Sequence, residues 1–571
     1  MVFTLHRYIF REAFKVFVLA AVALTLILSL GSILRPIQEY GVGPQHVLYL
    51  MGYFLPITLT FILPMAALFA ASLVYGRFAS DNELDACRAS GISLVTLVHP
   101  GLVLAIIVAI ANLILSFHVM PVFIQRAEES LKADAKNIIF RNIQRSGYYK
   151  LPDGRYLVYA DNADLQNDTL SGVVVTELKG VEIKRIVTAE NAKVQFNPHE
   201  RFNEVKITAH KTYQMDPDGD TASAEWLPIT AEFGSLLGDD IKFKKIDEMK
   251  SIQAEPIRFY PIEKMARSVY AQFITELLAE DITSKIEQPP SAQEKNAPAF
   301  AADSPSQKEQ NENPANEKAT VPIGTPEDGD RFYKLHSGQK LVEFSAGQCT
   351  LKDEKKVLLS DNVVVIEYNA GSKVPLQELV ATKVLLHIEG DELAPTLTME
   401  IYNPTWRRAD GAEGLSRLQI IRGLIIPQHV IDKIETEDVL KAISPASISS
   451  ALQKKPSPVL RELQNKLQRK IRRTFVEIKA EIHSRLVFGI GCVLLIMIGI
   501  GLGIIKKGGH LLSAFGVSSV PAAVLIVCIM MGKNITKNPG AQAVSGIILM
   551  WGSLVLLSAL AVVVYHKLLK N

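Results

Sequence analysis

Residues 486 to 505 read LVFGIGCVLLIMIGIGLGII, without one charged side chain. A helix needs about 20 apolar residues to cross the ~30 Å hydrocarbon core of a bilayer, so this stretch predicts a membrane span. Further uncharged stretches of comparable length are Val16 to Leu34, Val47 to Tyr75, Gly101 to Ile124, Leu511 to Gly532 and Ala541 to Tyr565. The sequence therefore predicts an α-helical membrane protein with three spans on each side of an inserted polar block.

The first of these stretches has one feature of a signal peptide, because Arg7, Arg11 and Lys15 precede it. Its apolar run exceeds the ~7 to 15 residues usual for a signal peptide and shows no clear cleavage site. We expect it to be retained as a helix.

The distribution of Lys and Arg over the short connections predicts the orientation. An even number of spans places both termini on one side, and cytoplasmic loops carry an excess of basic residues. The terminal side has nine basic residues and the opposite short loops have three, namely Arg7, Arg11, Lys15, Arg77, Arg88, Lys506, Lys507, Lys567 and Lys570 against Arg35, Lys533 and Lys537. We expect cytoplasmic termini and an outward-facing polar block.

Net charge and cysteine content restrict the remaining classes. The chain has 61 basic and 59 acidic side chains, a net charge of +2, so bulk charge gives no argument for nucleic-acid binding. Of the four cysteines only Cys349 falls in the polar block. No disulfide is therefore expected within that block, which must be held together by packing.

The polar block has the pattern of an antiparallel β-domain. Short segments rich in Val, Ile and Tyr alternate with turn formers such as Pro152-Asp153-Gly154. Without a regular helix between them, such strands favour an antiparallel sandwich or roll over a parallel sheet. The predicted strands are Arg155 to Ala160, Leu170 to Thr176, Val181 to Val187, Ala192 to Phe196, Glu204 to Ala209, Lys340 to Phe344, Val363 to Glu367 and Lys383 to His387.

A change of composition divides this block. Between 284 and 330 Pro, Gln, Glu, Asn, Lys and Ala dominate, which cannot bury enough surface to offset chain entropy, so a disordered insertion is expected. The predicted parts are spans one to three with their cytoplasmic connection (1–125), a first β-rich part (126–283), the insertion (284–330), a second β-rich part (331–459), and a helical lead-in with spans four to six (460–571).

The cytoplasmic connection at 76 to 91 reads GRFASDNELDACRASG. Its bounding glycines predict one helix over 77–91, with Gly91 as the C-terminal cap. On a helical wheel Glu83 shares a stripe of small side chains with Ala79, Ala86 and Ser90. Such a stripe lets another backbone approach, and its carboxylate suits a basic group on a partner. An ordinary surface helix with a solvated Glu83 is the alternative.

Span two contains Pro56 and Pro64. Each proline removes a backbone hydrogen bond and can bend the helix. A bent span that leads directly into the connecting helix would act as a lever with these prolines as hinges. Two tolerated kinks are the alternative.

The most specific motifs lie between residues 63 and 93. The chain closely resembles the lipopolysaccharide export permeases of the LptF/LptG (YjgP/YjgQ) family in the runs LPMAAL (63–68), GR (76–77), EL (83–84) and RASGIS (88–93). The opening RYIFRE (7–12) and the run EIHSR (481–485), followed by GLG (501–503), are similar to further signatures of that family. The signatures lean slightly toward the F-type.

The resemblance implies a set of partners and a location. In that family two related permeases pair, an LptB-like dimer of cytoplasmic ATPase subunits drives them, and lipopolysaccharide is extracted from the inner membrane. The lipid then passes through a periplasmic β-jellyroll to LptC/LptA-like bridge proteins. For this chain the resemblance therefore implies an inner-membrane permease that contacts membrane lipids and binds no cofactor directly, with ATP used by the partner.

The resemblance also implies roles for particular residues. The helix at 77–91 would be the coupling helix, in which Glu83 contacts the ATPase and Arg77, Arg88 and Gly91 belong to the same element. Arg35, at the outer end of span one, matches a basic position associated with the lipid's phosphates; a plain interfacial anchor is the alternative. The outer block is larger than the family's, so one continuous roll and two packed subdomains both remain open.

Enzyme chemistry is not indicated. The chain contains no Gly-x-x-x-x-Gly-Lys-Ser/Thr phosphate loop, and His199-Glu200 fails the His-Glu-x-x-His zinc pattern because Asn203 occupies the last position. We expect no catalytic residue and no metal site. Two other classes remain open, a permease of another ABC exporter and a non-transport scaffold that presents a periplasmic β-domain.

Overall fold

The computed structural model describes most of the chain and divides it into two units. The described residues are 2–40, 44–151, 154–180, 182–199, 202–215, 217, 221–235, 239–286, 332–338, 340–352, 355–369, 372, 374–389, 396–434, 436, 438–505, 511–537 and 543–570. Unit 1 comprises Met1–Ile262 with Arg469–Asn571, and unit 2 comprises Glu263–Gln468.

The helices lie mainly in the two terminal thirds of the chain. In the described residues they are α1 (Val2–Tyr40), α2 (Pro44–Ser80), α3 (Glu83–Ala89), α4 (Leu94–Ile114), α5 (Met120–Ala133), α6 (Ala135–Ser146), α7 (Ile246–Ala254), α8 (Tyr260–Ile286), α9 (Gln428–Ile431), α10 (Val439–Ala442), α11 (Pro445–Ala451), α12 (Pro458–Ile505), α13 (Leu511–Lys537) and α14 (Ala543–Lys570). A π-helical turn, Leu115–Val119, joins α4 to α5, and short 3₁₀ turns cover Ile241–Phe243 and Pro256–Arg258.

Six membrane spans are confirmed. Within the described part of the chain, six helices are long and apolar enough to cross a bilayer, namely Phe3–Ser29, Gly52–Ser80, Leu94–Ala133, Pro458–Ile505, Ser519–Lys537 and Val544–Lys570. The fourth is continuous with the basic stretch before it, because α12 runs unbroken from Pro458 to Ile505. Apolar side chains of α1, α2, α4 and α12 share one core in unit 1, and those of α12, α13 and α14 form another.

The strands lie between these two groups of helices, and all their registered pairings are antiparallel. They are β1 (Tyr148–Lys150), β2 (Tyr156–Asp164), β3 (Thr169–Lys179), β4 (Glu182–Pro198), β5 (Asn203–Met215), β6 (Thr221–Phe233), β7 (Tyr333–Ser337), β8 (Lys340–Ser345), β9 (Gln348–Leu351), β10 (Lys356–Asn369), β11 (Pro375–Glu389), β12 (Thr396–Tyr402), β13 (Thr405–Arg408), β14 (Glu413–Leu415) and β15 (Leu418–Ile425). The predicted membrane protein with an inserted antiparallel β-domain is thus confirmed.

Unit 1 carries a sheet in which β1 to β6 neighbour one another in chain order. Alternate residues such as Val173 and Val175 point into a core that also contains Ile139 and Phe140 of α6. Helix α6 therefore covers one face of this sheet. The segments 181–187 and 192–196 are predicted as two strands, but residues 182–187 and 192–196 both belong to the 17-residue β4, and Val181 lies outside the described residues.

Unit 2 carries a separate sheet that closes on itself. Strand β10 pairs with both β8 and β11, so β11, β12, β15, β7, β8 and β10 form a ring. Closure between β15 and β7 is registered at Ile425 and His336. Side chains at alternate positions, including Val363, Val365 and Leu386, are fully buried. The outer block thus contains two sheets, and no strand of the described residues belongs to both.

Helix α8 corrects the expectation that the outer block lacks a regular helix. Its buried residues Ala266, Val269, Phe273 and Leu277 recur at helical spacing, a period that the search for β-alternation missed. Within unit 2 this helix is fastened to the ring, since Tyr333 donates to Asp281 at 2.7 Å. The predicted insertion overlaps α8 at 284–286, and its remainder, 287–330, lies outside the described residues.

Candidate coupling site

The connection between α2 and α4 differs from the single helix predicted over 77–91. Helix α2 ends at Ser80, and Asn82 adopts the left-handed conformation with φ 58°, which an α-helix cannot contain. Asn is one of the few residues that adopt this conformation readily. The short helix α3 then starts at Glu83 in a new direction. The helical wheel that placed Ala79 beside Glu83 is therefore wrong, and Ala79 is buried at the end of α2.

Helix α3 presents most of its surface to solvent. Glu83, Ala86 and Arg88 are exposed, and Leu84 is buried in the core of the membrane helices. Among the described residues Glu83 has no ion-pair partner. Leu84 thus anchors the helix, while the predicted contact residues Glu83 and Arg88 remain available to a partner.

Gly91 terminates α3. It follows the C-cap residue Ser90 with φ 85°, a conformation that favours glycine, and its N–H donates to Arg88 O at 2.9 Å. The next N–H, of Ile92, donates to Cys87 O at 3.1 Å, which completes a Schellman motif. Two residues later Ser93 caps α4 by accepting from Thr96 N at 3.3 Å.

Arg77 points away from α3. It lies in the last turn of α2, and its Nη2 donates to Glu12 Oε1 of α1 at 3.3 Å. Arg77 therefore joins the C-terminal end of α2 to the N-terminal part of α1, whereas Glu83 and Arg88 are exposed on α3. The sequence motif placed these residues in one element, but the structure places them in two.

The end of α2 that leads to α3 packs closely on α12. A Cβ added to Gly503 would lie 2.6 Å from Ser72 O and 3.1 Å from Gly76 N, and one added to Gly499 would lie 2.7 Å from Leu68 Cδ1. Gly499 and Gly503 are four residues apart, as are Leu68, Ser72 and Gly76. Small residues at this spacing allow membrane helices to approach backbone to backbone.

The prolines of the membrane helices leave backbone carbonyls without their helical donors. Pro64 cannot donate to Thr60 O, and the Nδ2 of Asn112 on α4 donates to that oxygen instead, at 2.9 Å. Pro100 likewise cannot donate to Thr96 O, and the Nε2 of His6 on α1 lies 2.9 Å from it. Because a carbonyl only accepts, His6 is the donor in this contact. For Pro56, the other hinge candidate, the described contacts include only Thr60 Oγ1 donating to Pro56 O at 2.9 Å.

A tyrosine joins the same two helices nearer to α3. The hydroxyl of Tyr75 on α2 donates to Leu97 O and accepts from Gly101 N, each at 3.1 Å. These are the two groups of α4 that a regular helix would pair with each other. Tyr75 is fully buried, so its hydroxyl and the backbone of α4 satisfy one another away from solvent.

A buried charged group lies in the middle of α12, where its apolar part begins. Arg485 is 5% exposed; its Nε donates to Glu481 Oε1 at 3.0 Å and its Nη1 to Ser116 O of the π-helical turn at 2.9 Å. In the π register Ser116 O would accept from residue 121, which is a proline. Nη2 of Arg485 donates to Lys242 O at 2.7 Å, and Lys533 of α13 pairs with Glu481 Oε2 at 2.5 Å.

The remaining predicted sites have simpler outcomes. Arg35 lies in α1, but its side chain is outside the part of the chain that the structure describes. Within the described residues no group of three or more His, Cys, Asp or Glu side chains could hold a metal ion.

On the sheet of unit 1, Glu177 is surrounded by basic side chains. It is 2% exposed and accepts from Arg155 at 2.7 Å, Lys184 at 2.8 Å and Arg185 at 2.6 Å. Burial alone would raise the pKa of this carboxyl, but Arg185, Lys184 and Arg155 outweigh it and lower the pKa to about 2. The cluster ties the start of β2 to β3 and β4.

This cluster predicts acid sensitivity of the sheet. The carboxyl of Glu177 takes up a proton near pH 4.5 in the unfolded chain but only near pH 2 in the folded one, so its stabilisation is complete above pH 4.5 and is lost as the pH falls toward 2. We expect Glu177→Gln to destabilise β2 to β4 by about 1–3 kcal/mol at pH 7, measured by hydrogen exchange on the purified protein. The exposed Glu190, which pairs with Lys211, is the control, and Glu190→Gln should leave exchange unchanged. Equal exchange in both variants would contradict the assignment.

Several residues of this site were not predicted. Tyr75 and Asn112 belong to no motif, and the runs RYIFRE and EIHSR contain Glu12 and Arg485 without indicating a role for either residue. One signal was present, because every proline inside a span implies a carbonyl four residues earlier that requires another donor. The sequence does not show which distant side chain supplies it.

The comparisons with known proteins agree with this architecture. A family model described as lipopolysaccharide export system permease LptF/LptG matches residues 7–276 and 396–567, which overlap all six spans. The unmatched residues 277–395 contain the end of α8 and β7 to β11, so the extra size of the outer block lies there. The family model covers both LptF and LptG, so the closer resemblance to the F-type stays a prediction. A search of curated proteins returns no match. The chain therefore belongs to the LptF/LptG family of lipopolysaccharide export permeases, multi-pass proteins of the inner membrane.

Proposed function

We propose that this permease is one subunit of an ABC-type complex in which a cytoplasmic ATPase dimer binds α3 and drives lipopolysaccharide out of the inner membrane. The termini and α3 face the cytoplasm, and both sheets face the periplasm. ATP is hydrolysed by the partner, and this chain transmits the resulting motion. The basic residues of the short connections support this orientation.

The observation that carries the proposal is the geometry of α3. It is a short, capped helix between two membrane spans, with an exposed carboxylate on one side and the buried Leu84 on the other. A charged group on a partner that contacts Glu83 would gain a charge-assisted hydrogen bond. Because α2 packs backbone to backbone on α12, a displacement of α3 would reach both halves of the membrane domain.

The lipid path is proposed to follow the sheet of unit 1. Membrane extraction forfeits ~0.8 kcal/mol for each buried CH₂, so acyl chains need an apolar surface at every step. The sheet of unit 1 has an apolar face built from Val, Ile, Leu and Ala, which packs against α6, so acyl chains would have to displace part of that cover. The family model matches the whole of this sheet and only part of the ring of unit 2, which favours unit 1 as the conduit.

Exposed apolar faces support a permease partner. Helices α1, α13 and α14 carry large exposed hydrophobic side chains, including Leu19, Ile27, Met530, Val555 and Val562. Some of this surface suits membrane lipid. We propose that the rest, on α1 and α13, meets the second permease and encloses the cavity that receives lipopolysaccharide, with periplasmic bridge proteins accepting it afterward.

Co-purification tests this proposal directly. The full chain, affinity-tagged and extracted in mild detergent from its own membranes, should retain an ATPase subunit, a second permease and lipopolysaccharide, each identified by mass spectrometry. An unrelated multi-pass inner-membrane protein purified in the same way is the control. Absence of both the ATPase and lipopolysaccharide would refute the proposal, and a scaffold function predicts that outcome.

A further inference from the structure

The contact between Asn112 and Thr60 joins α4 to α2, the two membrane helices that flank the proposed coupling helix α3. Asn112 is 2% exposed near the C-terminal end of α4, inside the apolar helix Leu94–Ala133, where an amide is costly unless its hydrogen bonds are satisfied. Its Nδ2 donates to Thr60 O, the carbonyl that Pro64 leaves without a donor, and lies 3.7 Å from Cys492 Sγ on α12. One side chain thus joins α4 to the break in α2.

Tyr75 provides an independent connection at another level of the same helix pair. Its hydroxyl, carried by α2, is bonded to both Leu97 O and Gly101 N of α4. In the first contact α4 supplies the donor for a carbonyl of α2 that Pro64 leaves free, and in the second α2 supplies a hydroxyl that bonds a carbonyl and an amide of α4. The two helices that flank α3 are therefore joined at two separate places along their backbones.

From this geometry we infer that Asn112 is a positioning residue, which ties α4 to the proline break of α2 so that α2, α3 and α4 move as one body. Pro64 is then a docking point between helices and not a free hinge. The functional part of this inference rests on the proposed coupling through α3. The structural part, a rigid helix pair, stands independently of the ATPase.

A double-mutant cycle distinguishes two roles of Asn112, which are to position α4 against α2 and merely to satisfy the carbonyl of Thr60. Asn112→Leu removes the tie and leaves Thr60 O without a donor. Pro64→Ala returns a backbone N–H to that carbonyl, so the double variant has a satisfied carbonyl but no tie. The contact with Cys492 is lost in both Asn112 variants and cancels in the cycle.

Two readouts on the full complex complete the design. The first is the distance distribution between spectroscopic probes at the exposed residues Phe61 of α2 and Ile110 of α4. The second is lipid-stimulated ATP hydrolysis with lipopolysaccharide release, and thermal unfolding is measured in parallel. We expect Asn112→Leu to lower release about tenfold, the size of effect that ~1.4 kcal/mol produces, and to broaden the distribution.

The double variant decides between the two roles. If Asn112 acts by positioning α4, the double variant recovers thermal stability, but its distance distribution stays broad and its release of lipopolysaccharide stays low. If the double variant recovers both lipopolysaccharide release and thermal stability, Asn112 serves only to satisfy Thr60 O, and the inference is overturned. A wild-type distance distribution in Asn112→Leu would also overturn the inference. Loss of lipopolysaccharide release in a well-folded Pro64→Ala variant would overturn it as well, because that result would show that Pro64 is a free hinge. If the single variant Asn112→Leu does not fold, the double variant is compared with the single variant Pro64→Ala, and this comparison tests the same tie.

Failure of the proposed function has a different signature. If the wild-type complex shows no lipid-stimulated ATP hydrolysis, the coupling proposal fails whatever the Asn112 variants do. The distance distributions still test the tie between α2 and α4, because they need neither ATP nor the lipid.

Discussion

Replacing Glu83 with alanine is expected to abolish lipopolysaccharide export while the protein remains inserted and folded. Glu83 is exposed and, in the described part of the structure, unpaired, so its removal leaves no buried group unsatisfied. A hydrogen bond to a charged group contributes about 1.5–3 kcal/mol, which corresponds to a tenfold or larger loss of productive ATPase contact. Export and ATP hydrolysis by the reconstituted complex measure the effect.

Asp81 is the matched control for Glu83. It is also an exposed carboxylate close to the start of α3, so Asp81→Ala removes the same charge near the same helix terminus. We expect it to export nearly as wild type does. Wild-type export by Glu83→Ala, or equal loss in both variants, would contradict a specific contact at Glu83.

Arg485→Met is expected to destabilise unit 1 strongly. The guanidinium donates to Glu481, to Ser116 O and to Lys242 O, which belong to different elements. Lys533 still pairs with Glu481 in this variant, so the loss comes from one carboxylate oxygen and two carbonyls that each lose a buried donor, at about 1–3 kcal/mol for each group. A lower unfolding temperature and faster proteolysis of the purified protein would show the loss. Arg485→Lys should be intermediate, since one ammonium cannot reproduce the planar fork.

Arg473 offers a comparison on the same helix. It pairs with Glu477 at 3.1 Å with the same i,i+4 spacing as Arg485 and Glu481, but Arg473 is exposed. Exposed ion pairs contribute little to stability, so the Arg473→Met variant should unfold at a temperature close to that of the wild-type protein. If the two arginine variants lose equal stability, burial and the backbone contacts are not the cause.

Much of the fold follows from local sequence. Stretches such as 486–505 are uncharged and long enough to span a bilayer, and alternation of Val and Ile with polar residues identifies β2 to β5 in the first sheet but only β8, β10 and β11 in the second. The long helix α8 was missed because its polar composition concealed the 3.6-residue period. The break at Asn82 was missed because the helical pattern continues on both sides of it, and a single left-handed residue leaves no periodic signal.

For the candidate site, the motif at 63 to 93 indicated the segment that we propose for coupling but not its geometry. Exposure of Glu83, burial of Leu84 and the turn at Gly91 agree with a surface that a partner binds. Arg77, placed by the motif in the same element, instead contacts Glu12, a residue 65 positions earlier. Such a contact depends on how α1 packs on α2, which spacing along one helix does not reveal.

By itself the sequence determined the number of spans, the antiparallel character of the outer block, and the presence of prolines such as Pro64 inside the spans, each of which removes a backbone donor. These are local properties, since hydropathy, alternation and the missing N–H of proline need no knowledge of neighbours. Only the tertiary structure decided which donors fill the gaps: Asn112, His6 and Arg485 reach them from other helices. The reason is physical, because an apolar bilayer offers no water to a free carbonyl, and the partner must be whichever side chain packing brings within hydrogen-bonding distance.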